Sequence, residues 1–544
     1  MSEILFHYKR VDPTTWAYLS SLLMIGLFFK FNRCWSVRNL DLVLLMLLGP
    51  GLLLVQHGQA TKYATVVEYS QFERPDEPTD PIDTPTPAAG DVVTPVGGQE
   101  VEPPSGEAAS DPKTDGESAD EPPDATGDND ATGDNPDNGA AGESVPADGA
   151  AGSSESESLT PVEKIRTEFD KAQSIERLGF IWLLSAAGLL CIRLLIDPNM
   201  VRRPLLEPNL NSPGLFFLCL WLFIFLMANV VTSPVGGGQE SSETIKEAWA
   251  ELRGELLEDI ETRSSGPQHA VLILFPSIPT APLARPDSSD QATFVNTARA
   301  LAICSHLAIV LGIAGIGYRH FDSLQMGVGA ATLYLMLPFT AQMTGHIDQS
   351  IPGALLIWAV LFYRRPVWAG LFLGLAAGGY YYPLFLLPLW ISFYWQRGLK
   401  RFLLSFLVML AVLIGLLIFR SPDFATFLAH VQSMFGLWTP LMSGLGGIWG
   451  LGWDPWFRVP IVALFVGLSG TLAIWPAQKN LGTLLSCSAA VMAATQFWHG
   501  FGGGLHLGLF MPLVLLTFFR PNLEDRIALA VLGEGWFPRR RAPA

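Results

Sequence analysis

Uncharged apolar stretches alternate with short polar breaks almost from one end of this chain to the other. The first runs from Trp16 to Phe29 and the second from Leu40 to Val55. Others follow at Leu178 to Ile196, Gly214 to Val231, Ala298 to Gly317, Leu324 to Gln342 and Ile351 to Tyr363. Pro366 to Gln396 has basic residues at both ends and reads as two helices in a tight hairpin, with "GGYYYP" near its tip. Phe402 to Phe419, Val459 to Trp475, Leu481 to Gln496 and Leu505 to Phe519 complete the series. Roughly 17–25 apolar residues suffice to cross the hydrocarbon layer as a helix. The pattern predicts an all-α fold, a polytopic integral-membrane bundle of about 13 transmembrane helices.

Charge gives the bundle a direction. No small-residue cleavage site follows the first run; Lys30, Arg33 and Arg38 do, so it reads as a retained anchor. Lys and Arg in short loops mark the cytoplasmic side. Arg202 and Arg203, Arg319, Arg364 and Arg365, Arg397, Lys479 and Arg520 then fall on that side in turn. The expected arrangement is an inner-membrane, multi-pass protein with its N-terminus outside and its C-terminus in the cytoplasm. Lys164, Arg166, Lys171 and Arg177 lie on the predicted outer side, where a long translocated segment obeys the charge rule weakly.

Composition changes the picture at one place. The formal charge is −16, yet residues 75–158 hold 22 Asp/Glu against Lys113 alone, which leaves the rest of the chain mildly basic. This insert has almost no aromatic residues and carries "ATGDN" at 125–129 and again at 131–135. It cannot bury enough apolar surface to offset the entropy of ordering, so it is expected to be disordered. A solvated spacer and an acidic ligand for a cationic partner are its two readings. No basic soluble face suited to nucleic acid occurs. The five cysteines make no metal spacing and read as small core residues.

The expected divisions are two membrane helices in 1–57, an outer segment 58–175 around the insert, and two helices in 176–232. An outer interfacial segment at 233–296, a main membrane domain at 297–520 and a basic tail at 521–544 follow. Within the second outer segment, Ile245, Trp249, Leu252, Leu256 and Ile260 form one helical stripe. A helix on the outer interface, or one packing on an outer domain, would present such a stripe.

Candidate chemistry gathers at the predicted outer helix ends. "MTGHIDQS" brings His346, Asp348 and Gln349 between two apolar runs. Tyr380, Tyr381 and Tyr382, the turn with Trp453, Asp454 and Trp456, and Trp498 and His499 fall on the same side, with His506 seven residues further on. Ionisable groups at membrane depth mark function by default. Asp348 could equally sit at an N-cap position, its charge favoured by the helix dipole. Each histidine could be hydrogen-bonded packing, and the Tyr and Trp side chains interface anchors. In combination, aromatic rings, imidazoles and a carboxylate suit a sugar, and Asp with His could hold Mg or Mn against a phosphate.

The stretch "LYLMLPFTAQMTGHIDQSIPGALLIWAVLFYRRPVWAGLFLGLAAGGYYYPLFLLPLWISFYWQRG" resembles the middle of GT-C glycosyltransferases, above all the bacterial polyprenyl-phosphate-mannose-dependent mannosyltransferases. The shared elements are a helix ending in the polar loop "TGHIDQS", a helix closing on Arg364 and Arg365, the glycine-spaced "AGLFLGLA" and a proline-containing turn before "LFLLPLW". The likeness covers about a quarter of the chain. It implies a polyprenyl-phosphate sugar donor, an extracytoplasmic site, inversion at the anomeric carbon and an acidic general base in the first outer loop. Glu68 and Glu73 are the acids available there; the family's lysine before the turn proline is replaced by Tyr382. The expected site is therefore Asp348, His346 and Glu68 for catalysis, with Tyr382, His499, Trp498 and Gln349 binding substrate. The alternative is a non-enzymatic membrane protein, either a transporter or a scaffold for envelope assembly.

Overall fold

The structure is a computed structural model, and it describes residues 12–73, 160–200, 206–232, 290–420, 423–425, 427–428, 445–477, 479–500 and 503–521. The acidic insert at 75–158, the amphipathic stripe at 242–263, Arg202 and Arg203, and the tail beyond 521 lie outside the described residues. Among those described, about 84% are helical and no strand occurs. Each segment thus satisfies its backbone internally, as the interior of a bilayer requires.

The helices are α1 (Pro13–Phe28), α2 (Val37–Glu73), α3 (Pro161–Ile196), α4 (Ser212–Thr232), α5 (Asp290–His320), α6 (Leu324–Met336) and α7 (Pro338–Gln342). After them come α8 (Ile347–Leu361), α9 (Pro366–Gly379), α10 (Leu387–Tyr394), α11 (Leu399–Arg420), α12 (Arg458–Ile474), α13 (Leu481–Ala494) and α14 (Met511–Phe519). Among the described residues six spans are long and apolar enough to cross a membrane: Val37–Tyr69, Pro161–Asn199, Ser212–Thr232, Val295–His320, Leu399–Leu416 and Pro455–Ile474. That is fewer than the 13 crossings expected from hydropathy. The remaining apolar helices are cut short by prolines and glycines. Pro338 ends α6, Pro383 opens the short 3₁₀ turn Tyr382–Leu386 ahead of α10, and residues 505–510, with the 3₁₀ turn Leu507–Leu509, stand where the last helix was expected to begin.

Two helices are longer than their apolar runs. Helix α2 continues to Glu73 and α3 starts at Pro161, so 58–73 and 161–175 are helix rather than outer loop. Nearer the apolar runs the two helices are tied by Trp182 Nε1 donating to the Leu47 carbonyl and by Lys62 paired with Glu176 at 3.0 Å.

Long and short helices divide the work. All 14 residues of α13 and all nine of α14 are buried, as is α6 from Met326 onward. By contrast α11 and α12 are exposed over much of their surface, with Leu404, Leu464 and Ile474 outermost. The glycines of "AGLFLGLA" serve this packing. A Cβ on Gly370 would lie 2.2 Å from Ser405 Oγ, and one on Gly374 3.0 Å from Met409 Cβ, so α9 and α11 touch backbone to side chain.

One end of the assembly carries a buried ionic group. Arg193 of α3 binds Asp41 of α2 through two bonds, Nε to Oδ1 at 2.7 Å and Nη2 to Oδ2 at 3.0 Å. Its Nη1 reaches Asp197 Oδ1 at 3.0 Å, and Arg520, just past α14, donates to Asp197 Oδ2. All four side chains are buried and their formal charges cancel. At the same end Arg38 donates to the carbonyls of Phe28 and Glu207, His320 pairs with the Leu361 carbonyl, Tyr394 donates to the Tyr363 carbonyl, and Arg397 donates to that of Lys479. The basic loops that the charge pattern placed on one side therefore meet one another. Cys191, Cys219 and Cys487 are buried as small core residues, while Cys34 and Cys304 are exposed.

Candidate functional site

Helix α13 starts beside Arg520 and ends in the 3₁₀ turn Thr495–Phe497, so its far end lies about 20 Å from the ionic group at 1.5 Å per residue. There the chain leaves the helix for Trp498 and His499 and turns back to His506. Gly504 permits the reversal, with a φ of +102° that a side chain would strain. Gln496 holds the returning strand of chain, its Oε1 accepting from the backbone N–H groups of Gly504 and His506, both at 3.1 Å. A helical path would have put His499 and His506 two turns apart. The reversal brings their rings to 4.3 Å between centroids.

The tyrosine turn packs onto this segment. Tyr382 and His499 Nδ1 are hydrogen-bonded, Tyr380 Oη lies 3.4 Å from His499 Nε2, and the same oxygen is 3.2 Å from His506 Nε2. Trp498 stacks edge-on to Tyr382 at 5.2 Å and sits 6.1 Å from Tyr381, with Phe465 at 5.3 Å behind it. All three tyrosines, Trp498 and His499 are buried, so they are not interface anchors at the edge of the bundle. Trp498 Nε1 is buried and has no hydrogen-bond partner among the described residues. Arg458, at the start of α12, braces the segment by donating from Nε and Nη2 to the Trp498 carbonyl at 3.1 and 2.9 Å. Trp449 Nε1 donates to the Phe497 carbonyl at 3.3 Å.

The "GHIDQS" corner meets the same segment through Gln349, whose Oε1 accepts from Gly508 N–H at 3.4 Å. His346, not Asp348, occupies the N-cap of α8, and Asp348 lies inside the first turn. The cap assignment from sequence was two residues late because α8 begins four residues before its apolar run. Asp348 is partly exposed, and its Oδ1 is 3.8 Å from His346 Nδ1. A carboxylate in a first helical turn is favoured by the unsatisfied N–H groups there. Ser350 bonds to Ser305 at 2.7 Å. Beneath the corner His306 donates Nε2–H to the Thr344 carbonyl at 3.1 Å and accepts at Nδ1 from Tyr334 at 2.9 Å. Both amide atoms of buried Gln342 lack a partner among the described residues.

Glu68 does not join this group. It is an exposed residue on α2, and no hydrogen bond or ion pair links it to the other candidates among the described residues. Trp453 and Trp456 are exposed, and Asp454 caps the turn Pro455–Phe457 by accepting from Trp456 N–H at 2.9 Å. His306, Arg458 and Gln496 escaped sequence reasoning. For His306 the signal was present, an ionisable side chain in the middle of "LAICSHLAIVLG". For Gln496 there was none, since its role depends on a chain reversal ten residues long.

Among the described residues no group of three His, Cys, Asp or Glu side chains converges on a point. The cluster offers phenol oxygens and imidazoles, whereas Mg and Mn favour several carboxylate, carbonyl or water oxygens. The donor set does not fit the divalent ion expected from Asp with His. No protein-family model matches the chain, and no curated protein matches it.

Proposed function

We propose that the chain is an integral-membrane glycosyltransferase of the GT-C type, moving a sugar from a polyprenyl-phosphate donor to an acceptor at the extracytoplasmic face. The observation that carries this reading is that Tyr380 and Tyr382 bond to His499 and His506 while Gln349 of the "GHIDQS" corner bonds to Gly508, two residues further along. Aromatic faces there suit the apolar face of a sugar ring, and the unmatched donors and acceptors of Trp498 and Gln342 suit its hydroxyls. On this reading the short interior helices also cross the bilayer, giving about 13 spans by the span-length rule. The N-terminus is outside, the C-terminus is cytoplasmic and the host is the inner membrane of the cell.

The resemblance to polyprenyl-phosphate-mannose-dependent mannosyltransferases supplies the donor class. Tyr382, Trp498, His499 and Gln349 bind, and His346 and Asp348 act at the rim. Glu68 has no place in this reading. The acidic insert remains a candidate ligand for a cationic partner. A second reading, a transporter, is favoured by the linked Tyr and His side chains, a common device for moving protons through membranes.

The deciding experiment is transfer of labelled sugar from a polyprenyl-phosphate donor by purified protein, beside Asp348→Ala and Trp498→Ala. Transfer that falls at least tenfold in Trp498→Ala supports the reading. Absence of transfer to any acceptor tested, with solute uptake into vesicles, decides for the transporter. Labelling of a cysteine at position 350 only from the cytoplasm would sink the outer site.

A further inference from the structure

Four buried, non-ionisable side chains on four different helices carry polar atoms that have no hydrogen-bond partner among the described residues. They are Trp16 of α1 through Nε1, Asn229 of α4 through Oδ1, and Gln56 of α2 and Gln342 of α7 through both amide atoms. Each is more than nine-tenths buried. By contrast Gln349 and Gln496, also buried, accept from backbone N–H groups. A buried amide left unmatched costs free energy, so such groups call for a reason.

Helix geometry brings Gln56 and Gln342 toward one another. A Cβ on Gly49 would lie 3.7 Å from Pro338 Cγ, so α2 and α7 touch there. Gln56 follows Gly49 by seven residues and Gln342 follows Pro338 by four, which returns each to nearly the face of its contact residue. Gly51, Val55 and Gly58 all face α3. Gln56 stands roughly 130° further round α2, turned away from α3 and buried nonetheless.

Trp16 reaches the same level from the other direction. The Phe28 ring of α1 would lie 3.8 Å from a Cβ on Gly329 of α6. From that contact, Trp16 is about 18 Å back along α1 and Gln342 about 20 Å onward, at 1.5 Å per residue. Helix α1 packs on α7. The Trp16 ring stacks on Phe225 of α4 at 5.6 Å, and Asn229 follows Phe225 by four residues, on the same face.

We propose that these side chains form a subsite for a neutral, hydroxyl-rich group, a hexose. An ion would find no counter-charge among the four, and an apolar group would leave every amide unmatched. A hydroxyl both donates and accepts. Each glutamine presents a donor edge and an acceptor edge in one plane, which suits two adjacent hydroxyls of a sugar ring. That the hexose is the one transferred rests on the transfer reading; the hydroxyl subsite itself rests on the unmatched groups. Helix α7 joins it to the candidate site, since Phe339 Cζ would lie 3.2 Å from a Cβ on Gly508, the residue that Gln349 holds.

The probes are methyl α-mannoside, methyl β-glucoside and methyl β-galactoside, with methyl β-glucuronide as the charged counterpart. Binding to the full chain in lipid nanodiscs is read by saturation-transfer spectra across a concentration series. Saturable binding of at least one neutral hexoside is expected, weakened about tenfold in Gln56→Met and in Gln342→Met. Gln325→Met should bind as the unaltered protein does, because that amide donates to the Leu210 carbonyl instead. Methionine keeps the side-chain length, so both variants should melt at the unaltered temperature or above it without ligand.

No saturable binding of any hexoside, or equal binding in both methionine variants, would overturn the subsite. So would a lowered melting temperature in both, which would show amides already satisfied by buried water, and so would glucuronide bound as tightly as glucoside. Hexoside binding that needs both glutamines, in a protein that transfers no sugar, would count against the transfer reading alone. Sugar transfer with KM unchanged in both variants would remove the subsite and leave the transfer reading standing.

Discussion

The two ends of α13 are held by polar networks of opposite kinds. At its start Asp41, Arg193, Asp197 and Arg520 are buried ions, two carboxylates paired with two guanidiniums. At its end the linked groups are hydroxyls and imidazoles, bridged by the single oxygen of Tyr380. A closed set of fixed charges has one arrangement, because any proton gained or lost leaves a buried charge unpaired. A line of amphoteric groups has two, and can pass between them by moving protons. The first network therefore fixes the ends of α2, α3 and α14, and the second is able to change state.

The largest effect should come from breaking the charged end. Arg193→Ala leaves Asp41 without its two-bond partner and is expected to cost about 3–5 kcal/mol, seen as loss of folded protein in thermal melts. Next comes crowding of the same group from α13. A Cβ on Gly482 would fall 2.2 Å from Arg520 Nη1, so Gly482→Val should cost about 1–3 kcal/mol by displacing the guanidinium. At the neutral end Tyr382→Phe removes one hydroxyl and should cost only about 0.5–1.5 kcal/mol in the same melts. If instead Tyr382→Phe destabilises as much as Arg193→Ala, the contrast between a fixing network and a changeable one fails. The smallest effect is expected at Trp456, exposed beyond the cluster, where alanine should alter melting stability by no more than about 0.5 kcal/mol.

Most of the helices were legible as apolar runs, and the loops carrying Arg319, Arg364, Arg397, Lys479 and Arg520 meet at one end as the charge alternation grouped them. Helix length was not legible. Residues 58–73 and 161–175 look like soluble loop, yet both are helix, and at their membrane-side ends Lys62 and Gln59 donate to Glu176 across the pair. The cutting of the last apolar run into turn and short helix was hidden as well, since "LHLGLFMPLVLLTFF" is apolar enough for continuous helix. The site was legible as residue types but not as contacts. "GHIDQS" drew attention to Asp348, whereas its neighbour Gln349 is the residue that reaches the 506–509 segment. Arg193 and Asp197 carried a signal that spacing alone could have raised, opposite charges four residues apart at the end of an apolar run.

The complete enclosure of α13 and α14 has a consequence for biosynthesis. Both emerge from the ribosome after every other described helix, yet they fill the middle of the bundle. Until then the faces of α6 and of the ends of α3 and α5 that these helices cover lack that cover. Arg520 follows them and adds its bond to Asp197 as the last part of the ionic group to be made. Nascent chains stalled before residue 481 should accordingly be the form that membrane quality-control proteases recognise.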